Sequence, residues 1–229
     1  MKPSICGEHD GLIVEGFTEL AFGENAYLLY PAGDGPRPCW VVDPGFFPQP
    51  GWMVKRIARL GLQPQAVLLT HGHCDHLIGT AKVRDRWPDC RIHIADADAG
   101  GLTDPAVNLS AQFGVPVSPG VEPTDPLEPG ERLSLGPLAW HVLDTSGHSP
   151  GGRSLHCPSA QVVLTGDALF AGSIGRTDLP GMSTEQLLGN IRAHLLTLPG
   201  ATAVYPGHGE PTTIAAEARA NPFLSHDGD

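Results

Sequence analysis

Short runs of β-branched, aromatic and aliphatic residues recur along this chain, and most are closed by glycine, proline or an acid. They lie at Leu12–Val14, Tyr27–Tyr30, Trp40–Val42, Ala66–Thr70, Arg91–Ile94, Trp140–Leu143, Ser154–Cys157, Val162–Thr165 and Ala203–Tyr205. Runs of this length and composition predict strands. Three stretches between them carry apolar residues at helical spacing instead. Trp52–Leu60 sets Trp52, Met53, Ile57 and Leu60 on one face, and Leu77–Trp87 and Thr184–Leu198 follow the same period. The last begins at Ser183-Thr184-Glu185-Gln186, which fits a capping box, and stops at Pro199-Gly200. Residues 98–129 are rich in Gly, Pro and Asp and only weakly periodic, which predicts a short helix and a long surface excursion placed to border a substrate cleft. No repeat or linker divides the chain, so one domain over residues 1–229 is expected, with two sheets covered by helices.

Five of the predicted strands end in a potential metal donor. Trp40–Val42 leads into Asp43, Trp140–Leu143 into Asp144 and His148, Val162–Thr165 into Asp167, and Ala203–Tyr205 into His208. Glycine or proline stands beside these donors, which lets tight loops bring side chains to a common point. The fifth strand, Ala66–Thr70, runs into Thr70-His71-Gly72-His73-Cys74-Asp75-His76. Three imidazoles and a carboxylate in so short a run suit a transition metal far better than they suit packing. His71 and His73 are two residues apart, so in an extended loop their side chains leave the same face. Asp75 and His76 open the predicted Leu77–Trp87 helix, where the carboxylate offsets the positive end of the helix dipole.

The pattern Thr70-His71-x-His73-x-Asp75-His76, with Asp43 before it and His148, Asp167 and His208 after it in that order, resembles the metallo-β-lactamase superfamily. The likeness runs from about Leu12 to beyond His208. It implies an α/β fold, a four-layer αββα sandwich with the metal site at one edge between the two sheets. It further implies two divalent ions: His71, His73 and His148 would hold the first, Asp75, His76 and His208 the second, Asp167 would bridge both, and Asp43 would orient ligands from behind. Asp75 and Asp167 are then the expected catalytic carboxylates. Zinc is the expected metal, although imidazole and carboxylate also accommodate iron and manganese.

Ser173-Ile174-Gly175-Arg176-Thr177-Asp178, Tyr205-Pro206-Gly207-His208-Gly209-Glu210-Pro211 and Asn221-Pro222-Phe223-Leu224 are similar to the compact bacterial branch of the glyoxalase II group. That branch hydrolyses S-lactoylglutathione to D-lactate and glutathione. The resemblance implies a small-molecule, glutathione-linked thioester cleaved by hydroxide from a dinuclear centre, with Arg176 contacting substrate and no separate C-terminal helical domain. Leaving-group chemistry agrees, since a thiol of pKa roughly 8.5 departs without a dedicated acid. Two rivals stand beside this reading. Persulfide dioxygenases share Gly175-Arg176-Thr177-Asp178 and would use one Fe(II) held by His71, His148 and Asp167; a non-catalytic metal-binding module would need only a closed site of four ligands.

Charge removes other classes. The 229 residues carry 14 Lys and Arg against 25 Asp and Glu, a formal charge of -11, and no basic patch offsets it, so nucleic acid is not an expected partner. No segment offers the ~18 apolar residues of a membrane span and the first ten residues lack an apolar signal region, so a cytoplasmic protein is expected. The five cysteines are odd in number and scattered, which predicts reduced thiols, and Cys74 reads as a packing residue despite its neighbours. Asp144 reads as a turn residue, and His9, His93, His141, His156, His194 and His226 as structural or solvent-exposed groups. Oligomeric state has no signature in the sequence.

Overall fold

Alternation of apolar side chains on doubly covered strands organises the molecule, a computed structural model of which describes residues 2–224. The first sheet has seven strands in chain order: β1 (Ile5–His9), β2 (Leu12–Thr18), β3 (Asn25–Pro31), β4 (Pro38–Val42), β5 (Gln63–Leu68), β6 (Arg91–Ile94) and β7 (Asp125–Pro126). Neighbours are antiparallel from β1 to β4 and parallel from β4 to β7. The second sheet is built from β8 (Arg132–Leu135), β9 (Leu138–Asp144), β10 (Arg153–Cys157) and β11 (Val162–Gly166). After a small hairpin, β12 (Leu169–Phe170) with β13 (Ser173–Ile174), it is completed by β14 (Ala203–Pro206) and β15 (Thr212–Thr213). Its order is β15-β14-β11-β10-β9-β8, with β11 and β14 parallel.

Three apolar clusters separate four layers. Leu29, Val42 and Leu68 face Trp140, Val142, Leu155 and Leu164 between the sheets. Their sequence neighbours Leu28, Val41 and Val67 turn the other way, onto helix α1 (Gln49–Leu60) and helix α3 (Thr80–Arg86) through Met53, Ile57 and Val83. Val163 and Val204 likewise turn outward, onto Leu187, Ile191 and Ile214. The αββα sandwich expected from the resemblance is thus present, and burial on both faces explains why β3 and β11 read as near-continuous apolar runs rather than alternating ones. Among the described residues no helix is long and apolar enough to cross a membrane.

Two predicted helices are interrupted. Leu77–Trp87 is divided into α2 (Cys74–Leu77) and α3, because Gly79 packs against the loop after β4: its N–H donates to Pro44 O at 2.7 Å, and a Cβ there would collide with that carbonyl. Asp75 and His76 therefore sit on a four-residue turn and not at the head of a long helix. Thr184–Leu198 opens as α4 (Thr184–Asn190), with Ser183 Oγ accepting from Gln186 N at 3.2 Å as its cap, and continues as a π-helical turn, Ile191–Leu195. Helix α5 (Ile214–Ala220) packs on the same side. Residues 98–129 hold a 3₁₀ turn, Ala99–Leu102, and β7 but otherwise follow an irregular path.

Strand direction decides where the donors gather. Strands β4 and β5 are parallel, β11 and β14 are parallel, and β9 runs with β11 because β10 is antiparallel to both. Their C-terminal ends consequently reach a common edge in each sheet. The sheets are joined at that edge by Asn25 N to Gly207 O at 2.8 Å and Arg153 N to Thr70 O at 2.8 Å, so the loops after all five strands converge.

Candidate metal centre

Two groups of three donors form at this edge, His71 with His73 and His148, and Asp75 with His76 and His208. In the first, His73 Nδ1 lies 3.0 Å from His71 Nε2 and 2.9 Å from His148 Nε2. In the second, His208 Nε2 lies 3.3 Å from His76 Nε2 and 3.4 Å from Asp75 Oδ2. Asp167 stands between them: Oδ2 is 3.5 Å from His148 Nε2 and 3.4 Å from His208 Nε2, while Oδ1 is 3.3 Å from His76 Nε2. Every residue that the sequence assigned to the two ions is therefore drawn into one cluster.

The outer ring nitrogens fix which atoms face inward. His148 Nδ1 donates to Arg176 O at 2.8 Å and His208 Nδ1 donates to Phe22 O at 3.2 Å, because a carbonyl can only accept. His76 Nδ1 faces Asp43 Oδ2 at 3.1 Å. Thr70 Oγ1 donates to Asp43 Oδ2 at 2.6 Å, which leaves its lone pair for His71 Nδ1 at 3.1 Å. Four rings thus point Nε2 at the centre, the arrangement that outer partners create around a metal. Asp43 itself is only 2 % exposed and is saturated by Thr70 and His76, and it also falls within 4.8 Å of His71 and His76 donor atoms.

The neutral His73 ring can place at most one proton between its Nδ1 and the His71 and His148 nitrogens, so a cation among the three would relieve their crowding. Asp167 Oδ1 is moreover buried with no hydrogen-bond partner. Both observations fit a divalent ion in each group. Electrostatics distinguishes the two halves. Burial, reinforced by neighbouring imidazoles, holds His71 well below the usual histidine range and His73 down at about 3, so these two rings are neutral. Burial also opposes charge on His76 and His208, but the Asp167 and Asp75 carboxylates outweigh it, raising His76 well above its ordinary value and His208 to about 9. Those imidazoles in turn overcome the burial penalty on Asp167 and hold it well below the carboxylate range. The second half is charged and compensated from within.

Sequence reasoning overlooked several supports. Asp98 accepts from Gly72 N at 3.0 Å, Ser149 Oγ at 2.6 Å and Gly151 N at 2.8 Å, tying the loop that carries His71 and His73 to the loop that carries His148. It lies in the weakly patterned excursion, where no motif marked it. Phe22 and Arg176 hold the His208 and His148 rings through their carbonyls, which sequence does not display. Gly207 and Gly175 are places where side chains cannot fit: a Cβ on Gly207 would meet Asp167 Oδ1 and His76, and one on Gly175 would meet Asp167 O and His148.

The centre opens into a cavity of about 260 Å³ lined by Phe22, Leu109, Phe113, Phe170, Leu179 and Arg176 above the donors. A neighbouring cavity of about 250 Å³ shares His73, Leu109 and His148 with it and is walled by Asp98, Gln112, Ser149 and Met182. The 98–129 excursion therefore does border the cleft. Arg176 reaches the first cavity, but its guanidinium is paired with Asp178 through two hydrogen bonds of 2.8 and 2.9 Å. Asp144 caps a turn by accepting from Ser146 N at 3.0 Å, and the Cys74 thiol is pushed up to about 11 by burial, which leaves it an inert packing group. All five cysteines are unpaired. Of the other histidines, His9 meets Tyr205 Oη at 2.6 Å; His93, His141 and His156 stand on strands and His194 on the π-helical turn, while His226 lies outside the described residues.

The family model for the metallo-beta-lactamase superfamily matches residues 21–208. The chain is 39 % identical over 204 residues to "Probable metallo-hydrolase YqgX" of Bacillus subtilis, covering 88 % of this chain and 92 % of that protein. It is 34 % identical over 213 residues to "Hydroxyacylglutathione hydrolase GloC" of Haemophilus influenzae, covering 93 % and 98 %. Among solved structures, the BLEG-1 B3 metallo-beta-lactamase superposes with a TM-score of 0.87 at 34 % identity over 93 % of this chain and 100 % of that one. TTHA1623 in a di-iron-bound form superposes with a TM-score of 0.78 at 37 % identity over 91 % and 99 %. With its four layers, its ordered donors and these relatives, the chain belongs to the metallo-β-lactamase superfamily of hydrolases.

Proposed function

We propose that this protein hydrolyses a thioester, S-lactoylglutathione or a related hydroxyacyl glutathione, at a dinuclear metal centre. In this reading His71, His73 and His148 hold one ion, Asp75, His76 and His208 hold the other, and Asp167 serves both. The observation that carries it is the position of Asp167, within 3.5 Å of His148 on one side and 3.3 Å of His76 on the other. Two divalent ions bound there would polarise the substrate carbonyl and lower the pKa of water to roughly 7. Zinc is the proposed metal, with iron or manganese compatible with the same donors.

The chain's own groups supply the rest. Asp43 and Thr70 lock His71 and His76, and the Arg176 and Phe22 carbonyls lock His148 and His208, so the donors need no reorganisation as charge develops. The leaving thiol, with a pKa of roughly 8.5, departs as thiolate with little assistance. Arg176 stands at the mouth of the cavity, where an anionic group of the substrate can exchange with Asp178; both partners are exposed, so their pairing resists this little. The 34 % identity to the hydroxyacylglutathione hydrolase, over nearly the whole of both chains, supports the glutathione thioester. A mononuclear Fe(II) reading fits less well, because His73 Nδ1 sits between the His71 and His148 nitrogens. Metal-loaded protein is expected to release glutathione from S-lactoylglutathione faster than it opens a β-lactam or a matched oxygen ester. Cleavage of the β-lactam with the thioester left intact would overturn the proposal.

A further inference from the structure

Above the donors, the polar groups of the first cavity are spent on the protein itself. Asn108 Nδ2 donates to Gly101 O and to Val117 O, each at 2.9 Å, and its Oδ1 accepts from Ser110 N at 3.0 Å. Arg176, the cavity's one lysine or arginine among the described residues, is closed on Asp178. What remains facing the space is apolar: Phe22, Leu109, Phe113, Phe170 and Leu179.

These apolar groups are held in place and not merely left over. Phe22 is 48 % exposed, and its ring stacks on Phe46 at 5.3 Å between centroids, while the Glu19 carboxylate accepts from the Phe22 and Ala21 amides. Phe113 is 55 % exposed on a loop clasped by Ser110 Oγ to Val117 O at 2.9 Å and Val117 N to Ser110 Oγ at 3.0 Å. Leu109 adopts a φ of 67°, a left-handed conformation that a leucine avoids, and the loop is pinned beside it by Cys74 N donating to Asn108 O at 3.0 Å. That link runs directly to the turn carrying Asp75 and His76. Exposed aromatic surface is unfavourable in the free protein, and a bound apolar group would cover it.

We infer that Leu109 and Phe113 determine acyl specificity and that the preferred substrate is a thioester of an apolar acyl chain longer than lactoyl, seated among Phe22, Phe113 and Phe170. The inference rests on the thioester reading above and narrows its acyl group. Glutathione does not suit the apolar wall of this cavity, because its peptide groups would lose water there without gaining partners, and it is left to the mouth, where Arg176 can meet a carboxylate. An aliphatic chain loses nothing there.

The experiment holds the carrier constant. Glutathione thioesters of lactate, acetate, butyrate, hexanoate and octanoate are assayed with metal-loaded wild-type protein, Leu109→Ala and Phe113→Ala. For the wild type, kcat/KM is expected to rise by up to about fourfold per methylene from acetyl to hexanoyl and to pass the lactoyl value. Phe113→Ala and Leu109→Ala are expected to reduce that slope with metal content unchanged, a change that general damage to the fold would not produce. Lactoyl as the best substrate, or a flat acyl series, would overturn the inference while leaving thioester hydrolysis intact. Failure to cleave any of the five would remove the thioester reading and this inference together.

Discussion

His76 Nδ1 lies 3.1 Å from Asp43 Oδ2, an oxygen that also accepts from Thr70 Oγ1, so one buried carboxylate governs His76 directly and His71 through a threonine. Asp43→Asn offers a single acceptor oxygen to three donors. We expect metal affinity to fall by roughly 10- to 100-fold with the fold retained. Competition against a chelator measures this, and unaltered affinity would remove Asp43 from the ligand-orienting role.

Close packing around Asp167 gives a second test. Gly207→Ala would place a methyl against Asp167 Oδ1 and 2.7 Å from His76 Cε1. It is expected to abolish metal binding at the second donor group. A Cβ on Gly189 in α4 would meet nothing within 4 Å outside its own helix, so Gly189→Ala is expected to stabilise the fold by ~0.5–1 kcal/mol without touching activity. Chemical denaturation with metal analysis separates the two, and wild-type metal content in Gly207→Ala would contradict the close approach.

Metal uptake should be linked to protons. In the metal-free protein burial opposes a charge on His208, yet Asp167 and Asp75 raise it to about 9, and His76 is raised as well. Both rings are therefore protonated at neutral pH and must lose a proton to coordinate. Affinity of the second group is expected to climb with pH, by roughly tenfold per unit for each proton displaced, with the His208 contribution levelling off above about 9. Calorimetry in buffers of different ionisation enthalpy counts the protons, and uptake at pH 7 with no release would show that these rings are already neutral.

Arg176 is expected to matter for binding and not for the centre. Arg176→Ala keeps the main-chain carbonyl that holds His148, so metal content should stay at the wild-type value while KM for a glutathione thioester rises severalfold. Asp178→Asn frees the guanidinium and should lower KM. An unchanged KM in both variants would confine Arg176 to its main-chain contact.

Much of this was legible in the sequence, and what was not has identifiable causes. The central strands announce themselves because burial on both faces demands continuous apolar runs, as in Tyr27–Tyr30 and Val162–Thr165. Strand β1, with Gly7 and Glu8 in it, and β8, with Arg132 exposed, pack on one face and lack that signal. Gly79 divides a helix whose apolar period runs straight through it, since the reason is a tertiary contact with Pro44. The side chains that gather at the edge were readable because donor residues cluster at strand ends. Asp98 was not, since its three partners come from loops 26 to 53 residues away, nor were the carbonyls of Phe22 and Arg176, since main-chain acceptors carry no residue signature.

The most direct test of a dinuclear hydrolytic centre is metal content per chain measured together with loss of S-lactoylglutathione, with and without oxygen. Two ions per chain and equal rates in air and under anaerobic conditions are expected, and Asp167→Ala should empty both groups. A single iron per chain, with oxygen consumed on glutathione persulfide and no hydrolysis of the thioester, would contradict it.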